Sequence, residues 1–323
     1  MSYVPPADVA TAMVDAGQKK TGMATRETLI KATMAGAILA LGAALATTIT
    51  VNTGEPLLGA MIFPVGFILL YMMGFDLVTG VFTLVPLAWI DKRPGVTWRS
   101  LLRNWGLVFL GNMVGAVLVA LLMSIITTYG FSTPPDAIGE RLGEIGHDRT
   151  AGYAEHGAAG MLTLFLRAVM CNWMVSTGVV ASMMSRSAGG KALLMWMPVM
   201  LFFYMGFEHS VVNMFLFPAG LMLGGDFSLG QYLVWNEIPT LLGNIVGGLL
   251  FVGLPMYYSY VRTPKTPKTP QTPQNGDAQD ADDPQRPQGS PVAGGAPEQV
   301  DTQGRAMTGK RVPVATRQPG RPE

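Results

Sequence analysis

The tripeptide Gly74-Phe75-Asp76 returns as Gly206-Phe207-Glu208, an offset of 132 positions from residue 74 to residue 206. Further elements return at the same offset: Pro86 as Pro218, Asn104 as Asn236, and Gly111-Asn112-Met113-Val114-Gly115 as Gly243-Asn244-Ile245-Val246-Gly247. No insertion separates the matched elements, so a single duplication explains all of them. The pattern indicates two copies of one ancestral unit, as in membrane proteins built from repeats.

The composition is that of a membrane protein. Only 13% of the 323 residues are charged, 49% are hydrophobic, and 39 are glycine. Soluble domains carry about 25% charged residues. Six apolar segments are long enough to cross about 30 Å of hydrocarbon: 29–51, 57–90, 98–127, 157–184, 191–221 and 229–261.

Three spans in each copy predict an inverted repeat. An odd number of crossings forces the second copy to enter the bilayer from the opposite face, so the halves are related by a pseudo-twofold axis in the membrane plane. We therefore expect an all-α membrane protein with six transmembrane helices in two inverted three-helix repeats. Such folds carry their binding site near the midplane.

The second and fifth spans are predicted to be broken helices. Segments 57–90 and 191–221 exceed the length of one crossing, and each contains a Gly-Phe-acid element. Breaks at Gly74 and Gly206 bring Asp76 and Glu208 to membrane depth, where non-helical backbone survives only in a cavity or buried in protein. The acids could cap the second half-helices through the free backbone N–H groups. Their matching places in the two copies indicate a framework role rather than contact with substrate.

His209 breaks the internal symmetry, because the matched residue in the first copy is Leu77. An ionisable side chain is costly inside a bilayer, which favours a role in a transport pathway over a packing role. Thr79 lies close to the pseudo-symmetric position of His209. We expect its hydroxyl to face the same point.

Lysine and arginine near the span ends predict the orientation. They cluster before span one, around the 2–3 loop, in the 4–5 loop and after span six, whereas the 1–2 and 5–6 loops have none. Both termini are therefore expected in the cytoplasm, with the protein in the inner, cytoplasmic membrane.

Three regions are expected along the chain. Residues 1–28 are a cytoplasmic segment without a cleavable signal, in which an amphipathic helix with Val9, Met13 and Val14 on its apolar face lies on the membrane surface. Residues 29–261 form the six-span channel domain, and the Pro/Thr-rich residues 262–323 form a disordered cytoplasmic tail.

The sequence resembles the formate/nitrite transporter family. The resemblance covers about residues 1–261 and rests on Gly74-Phe75-Asp76 followed by Leu77-Val78-Thr79-Gly80, on Cys171-Asn172-Trp173, on Gly206 to Met214, and on the two Gly-Asn-x-Val-Gly elements. It implies a homopentamer of aquaporin-like protomers in the lipid bilayer, each with its own pore. The pore would conduct protons and small weak-acid anions such as formate, nitrite, acetate, lactate or hydrosulfide.

The same resemblance implies a set of site residues. His209 matches the central pore histidine, and Thr79 matches the threonine of the loop in span two. Pore-lining positions are further implied for Asn172, Phe63, Phe67, Phe202, Val78 and Val175. The framework of the helix breaks would consist of Gly74, Asp76, Gly206, Glu208, Ser210 and Asn213.

One departure from the family concerns charge. Many members carry a lysine in the outer vestibule just before span four, where this chain has Glu155 and His156. Arg167, farther into the span, is then a candidate for supplying positive potential.

The mechanism follows from desolvation. A bare anion pays a large cost in a hydrophobic constriction, whereas the neutral acid does not. We therefore hypothesise that half-helix N-termini near Thr79 and Ser210 attract the anion, and that His209 donates or relays a proton.

Two other classes of protein compete with this interpretation. A neutral-solute channel for water or a polyol can be built on the same repeat, but the Asn-Pro-Ala tripeptides of aquaporins are absent. An intramembrane serine protease would need a Gly-x-Ser-Gly turn, which is also absent, and side chains at adjacent helical positions such as His209 and Ser210 diverge. No enzyme activity, cofactor, metal site or nucleic-acid partner is predicted.

Overall fold

The structure is a computed structural model that describes residues 3–262. The predicted tail therefore lies outside the described residues, apart from Arg262. Within residues 3–262 the regular elements are helical, with one isolated β-bridge between Tyr3 and Ser185. In chain order the helices are α1 Pro6–Thr21, α2 Thr25–Thr53, α3 Pro56–Ile62, α4 Pro64–Met72, α5 Val78–Ile90, α6 Trp98–Thr127, α7 Ala137–Asp148, α8 Ala151–Glu155, α9 Gly157–Met183, α10 Ala188–Tyr204, α11 Ser210–Met222, α12 Leu229–Tyr232, α13 Ile238–Gly248 and α14 Leu254–Tyr260.

Four helices are long and apolar enough to cross a membrane: Thr25–Thr53, Trp98–Thr127, Gly157–Met183 and Leu229–Tyr260. The last of these is continuous through α12, α13 and α14, which are joined by π-helical turns at Leu233–Glu237 and Leu249–Gly253. The shorter apolar helices follow one another in two pairs, Pro56–Met72 with Val78–Ile90 and Ala188–Tyr204 with Ser210–Met222. The predicted interruptions in the second and fifth apolar segments are therefore present.

The helix limits repeat at the offset found in the sequence. Helix α5 begins at residue 78 and ends at 90, and α11 begins at 210 and ends at 222, so both ends are shifted by 132. Helices α2 and α9 begin at residues 25 and 157, which differ by the same number. The duplication is thus visible in the lengths of the helices as well as in the motifs.

Each interruption begins at a glycine with a left-handed backbone. The φ angle is +72° at Gly74 and +64° at Gly206. A side chain is strained in this region, whereas glycine adopts it freely. The chain therefore leaves the helix at each glycine, and extended backbone follows up to the start of α5 or α11.

An asparagine from a neighbouring helix closes each interruption. Asn112 of α6 accepts a hydrogen bond from the Val78 N–H (2.8 Å) and donates to the carbonyl oxygens of Asp76 (2.9 Å) and Ala32 (2.8 Å). A buried backbone group without a partner is costly in an apolar interior. One side chain thus satisfies a carbonyl within the break and the first N–H of α5, and fixes both to α2.

Asn244 repeats this arrangement in the second copy. It accepts from the Ser210 N–H (3.0 Å) and donates to the carbonyl oxygens of Glu208 (2.9 Å) and Ala168 (2.8 Å). Side-chain caps from Asp76 and Glu208 were one of the two roles predicted for these acids. That prediction was wrong, because the asparagines take the first backbone N–H of each half-helix.

Glycines on either side of each asparagine bring the helices into close contact. A side chain at Gly111 or Gly115 of α6 would collide with Ala32 or Thr33 of α2. In the second copy, Gly243 and Gly247 of α13 approach α9 in the same way. Small residues four positions apart are a common means of close helix packing in membranes. In the Gly-Asn-x-Val-Gly element, the glycines thus allow two helices to pack closely, and the asparagine caps the half-helix next to them.

Helix α1 is amphipathic, but its apolar face contacts protein. Val9, Met13 and Val14 are buried in a cluster that includes Leu84 and Leu87 of α5. The position of this segment on the membrane surface stays a prediction. Packing on α5 places Lys20, near the end of α1, beside the first break.

We expect both asparagine caps to be essential for stability. Asn112→Ala or Asn244→Ala leaves three backbone groups without their partners, and each unsatisfied buried group costs about 1–3 kcal/mol. Thermal unfolding of the purified variants should therefore occur at clearly lower temperature than for the unaltered protein. Asn52→Ala, at an exposed position of α2, is the matched control and should leave the midpoint unchanged. Equal midpoints for all three variants would contradict this role of the caps.

Candidate functional site

Thr79 and His209 meet at the two helix breaks. Thr79 lies in the first turn of α5, and His209 is the residue before α11. The Thr79 Oγ1 and His209 Nε2 atoms are 3.3 Å apart, and both side chains are buried. The predicted convergence of the two residues on one point is therefore present.

The hydrogen bonds of His209 define which ring nitrogen carries the proton. Nδ1 lies 3.3 Å from the backbone N–H of Val212 and accepts from it. A backbone N–H can only donate, so Nδ1 is unprotonated in this arrangement and the neutral ring carries its hydrogen on Nε2. Nε2–H then donates to the Thr79 hydroxyl oxygen, which leaves the hydrogen of that hydroxyl available to another acceptor.

Aromatic rings cover the other side of His209. Phe202 stacks on the imidazole with ring centres 5.5 Å apart. Phe63 contacts Phe202 edge-on at 5.6 Å and stacks on Phe203 at 3.9 Å. Phe63 and Phe202 were predicted from the family resemblance, whereas Phe203 was not. Together the three rings make an apolar layer next to the imidazole.

A small cavity lies on the Thr79 side of this layer. Its volume is about 60 Å³, and Lys20, Phe67, Asp76, Thr79 and Val175 are among its lining residues. One water needs about 10–15 Å³ on this measure, so the space fits a few waters or one small anion. We call it the Lys20 cavity.

A larger cavity lies on the Phe203 side. Its volume is about 250 Å³, and its walls include Thr50, Arg141, Arg149, Phe203 and Gly206. We call it the Arg149 cavity. A continuous series of contacts, from Thr79 through His209 and Phe202 to Phe203, connects the two cavities. The walls of each cavity contain a basic side chain.

The two acids of the breaks are paired with cations from different elements. Asp76 forms an ion pair with Lys20 of α1. Glu208 is fully buried, and its carboxylate lies 3.6 Å from Arg149, between α7 and α8. Glu208 also accepts hydrogen bonds from Tyr153, Asn213 and Asn236. Both acids are thus paired with cations beside the breaks, and their role in the framework stays a prediction.

The remaining predicted residues lie at different positions around the Thr79–His209 contact. Asn172 donates to the carbonyl oxygens of Thr79 (3.1 Å) and Asn244 (2.6 Å), so it joins the two copies. Val78 begins α5, with its N–H on Asn112. Ser210 begins α11, and within residues 3–262 its buried hydroxyl has no hydrogen-bond partner. Asn213 lies one turn along α11 and contacts Glu208.

Arg167 lines another cavity, of about 580 Å³, together with Glu155, His156 and Tyr153. Its contribution of positive potential stays a prediction. The Arg149 cavity has its own cations, Arg141 and Arg149. Sequence reasoning did not single out Arg149, because it lies in a long acidic loop, where it counted only toward the charge balance.

Comparison with known proteins agrees with this architecture. The family model described as formate/nitrite transporter matches residues 7–258. A probable formate transporter of Methanothermobacter thermautotrophicus is 35% identical over an alignment of 276 residues, and the match covers 81% of this chain and 98% of that protein. The formate channel FocA of Escherichia coli (strain K12) is 30% identical over an alignment of 285 residues, and the match covers 80% of this chain and 94% of FocA.

Solved structures share the fold. A pentameric formate channel with formate bound matches with a TM-score of 0.60 and 26% identity, covering 73% of this chain and 97% of that channel. An ion channel of the FNT family matches with a TM-score of 0.67 and 24% identity, covering 78% of this chain and 98% of that one. The second likeness concerns the fold alone.

The tautomer of His209 can be tested directly, because the chain has only three histidines. In protein labelled with ¹⁵N at histidine, we expect a neutral ring with the proton on Nε2, since Nδ1 accepts from Val212. The signal is assigned by its disappearance in His209→Asn. A neutral ring with the proton on Nδ1 would contradict the arrangement.

Proposed function

Because the chain belongs to the formate/nitrite transporter family, we propose that this multi-pass membrane protein is a channel or transporter for small monovalent weak-acid anions, with formate and nitrite as the first candidates. Acetate, lactate and hydrosulfide belong to the same chemical class. The relatives carry out transport, and none of the comparisons points to an enzyme.

The proposal includes the arrangement in the membrane. Six crossings in two inverted repeats would account for the four long helices, the two interrupted pairs and the common offset. Both termini would then be cytoplasmic in the inner membrane, as the lysine and arginine distribution predicts. The related formate channel is a pentamer, and we propose a homopentamer here as well.

One observation carries the proposed substrate class: a buried Thr79–His209 contact lies between two cavities, each with a basic side chain in its wall. In the wall of the Arg149 cavity, Arg141 and Arg149 outnumber Asp148, which favours an anion over a cation, whereas Lys20 is balanced by Asp76 in the other wall. The apolar layer of Phe63, Phe202 and Phe203 opposes passage of a fully charged species. A weak acid meets both conditions, since it is attracted as an anion and crosses as a neutral molecule.

His209 and Thr79 supply the proton in this proposal. The Thr79 hydroxyl transfers its proton to an anion in the Lys20 cavity, and His209 Nε2–H restores the proton of Thr79. In the same step a proton from the aqueous side adds to Nδ1, which releases the Val212 N–H, so the ring stays neutral with its hydrogen on Nδ1. Exchange of protons with water then returns the ring to the Nε2–H form. One proton then accompanies each anion, and transport is electrically neutral.

We expect purified protein in liposomes to carry formate and protons together. A formate or nitrite gradient should acidify the lumen, as measured with an enclosed pH dye, with little accompanying current on a solid-supported membrane. Chloride should produce neither signal, because hydrochloric acid is not a weak acid. Protein-free liposomes correct for the direct permeation of the neutral acid.

The same pair of signals separates the alternatives. Current without acidification would support an anion channel but contradict the coupling of anion transport to protons. Absence of both signals, with rapid volume changes in a glycerol gradient, would favour a neutral-solute channel and contradict the proposal.

We expect His209→Asn to slow the acidification. The variant removes the Nε2–H that returns a proton to Thr79, and a positioned proton-transfer group contributes about 10²- to 10⁴-fold in rate. His147→Asn is the matched control, because His147 bonds to the Asp226 carbonyl outside both cavities. Equal rates for His209→Asn and the unaltered protein would exclude the proton role of His209.

A further inference from the structure

Tyr153 lies at the centre of a hydrogen-bonded series that ends beside His209. Its hydroxyl donates to Glu208 Oε1 at 2.9 Å and accepts from Arg167 Nη1 at 2.8 Å. The Arg167 guanidinium also lies over the tyrosine ring, 5.7 Å from its centre. Burial, followed by the charge of Glu208, raises the pKa of Tyr153 well above its ordinary value. The hydroxyl therefore stays protonated and serves as a donor.

Glu208 depends on this donor. Its other oxygen, Oε2, accepts from Asn213 Nδ2 at 3.0 Å and from Asn236 Nδ2 at 3.2 Å, and Arg149 lies 3.6 Å from it. Within residues 3–262, Tyr153 is the one hydrogen-bond donor to Oε1. A fully buried carboxylate is stable only when its oxygens are hydrogen-bonded and its charge is balanced.

Glu208 in turn holds the backbone of His209. Asn213 donates its side-chain amide to Glu208 and its backbone N–H to the His209 carbonyl (2.9 Å). Asn244 holds the Glu208 carbonyl and the Ser210 N–H on either side of the imidazole-bearing residue. A rotation of the Glu208 carboxylate therefore changes the contacts that set the position of the imidazole.

The series belongs to the second copy alone. The residues 132 positions before Tyr153 and Arg167 are Thr21 and Ala35, neither of which can replace them. The first copy, which has Leu77 in place of the histidine, balances its acid with Lys20 only. The additional donors are thus found in the copy that carries the imidazole.

We propose that Tyr153, supported by Arg167, is a positioning residue that orients His209 through the Glu208 carboxylate. This inference rests on the proposed transport function for its consequence, but the geometry that it describes can be tested without transport. Removal of the hydroxyl leaves Oε1 without a donor, so the carboxylate shifts and the imidazole moves away from Thr79.

The test is a double-mutant cycle with two readouts. Tyr153→Phe should slow formate-driven acidification by about tenfold, as expected when a hydrogen bond to a charged group is lost. In a protein that already carries Glu208→Gln, the Tyr153→Phe change should alter the rate by less than about twofold. Tyr153 acts through the Glu208 carboxylate, so the effects of the two substitutions on the rate are not additive. Equal effects of Tyr153→Phe in both backgrounds would overturn the proposal.

Two sets of variants control for general damage. Tyr257→Phe removes a tyrosine–carboxylate hydrogen bond of the same length, to Asp91 Oδ1 at 2.9 Å, and should leave the rate unchanged. Arg167→Lys keeps the charge and should retain more activity than Arg167→Gln. If Tyr153→Phe fails to fold, Arg167→Lys and Arg167→Gln can be compared instead, once in the unaltered protein and once with Glu208→Gln, and this comparison provides the same double-mutant cycle.

The second readout is the ¹⁵N signal of His209 in labelled protein. It should shift in Tyr153→Phe and not in Tyr257→Phe, whether or not the liposomes transport formate. An unchanged His209 signal in Tyr153→Phe would contradict the positioning role. Failure of the unaltered protein to transport any weak acid, with the signal shifted as expected, would instead count against the proposed function.

Discussion

The rest of the structure depends on one constraint: a helix interrupted in an apolar interior exposes backbone groups that need partners. Asn112 and Asn244 supply these partners, because each accepts from the first N–H of a half-helix and donates to a carbonyl within the break. The glycines that flank them bring the neighbouring helices close enough for these bonds. Without the asparagines, neither Thr79 nor His209 could be held at the centre of the protein.

The two copies share this frame and differ in chemistry. Leu77 and His209 occupy matched positions at the end of matched breaks, yet only one of them can carry a proton. The acids follow the same division. Asp76 lies near the Lys20 cavity with a single cationic partner, whereas Glu208 is buried among three hydrogen-bond donors and Arg149. The two halves thus share one scaffold, and the imidazole of the second half has no ionisable counterpart in the first.

Much of this could be predicted from the sequence, because apolar length and an exact repeat are strong signals. The limits of the apolar segments, the two breaks and the meeting of Thr79 with His209 agree with the structure. Other features depend on which side chains meet in space. Three features follow from tertiary contacts that spacing does not encode: the capping role of Asn112 and Asn244, the packing of α1 on α5, and the pairing of Arg149 with Glu208. The sequence did contain one clue to the caps: an asparagine recurs at matched positions, Asn112 and Asn244, inside two apolar segments.

The partners of each asparagine lie in its own half of the chain. Asn112 bonds to Ala32, Asp76 and Val78, and Asn244 bonds to Ala168, Glu208 and Ser210. The first half therefore contains every group needed to close its own break by the time residue 112 has been synthesised. Membrane proteins are made from the N-terminus, and parts that are complete in themselves can form as they emerge. Insertion of the first half into the bilayer consequently does not have to wait for the second.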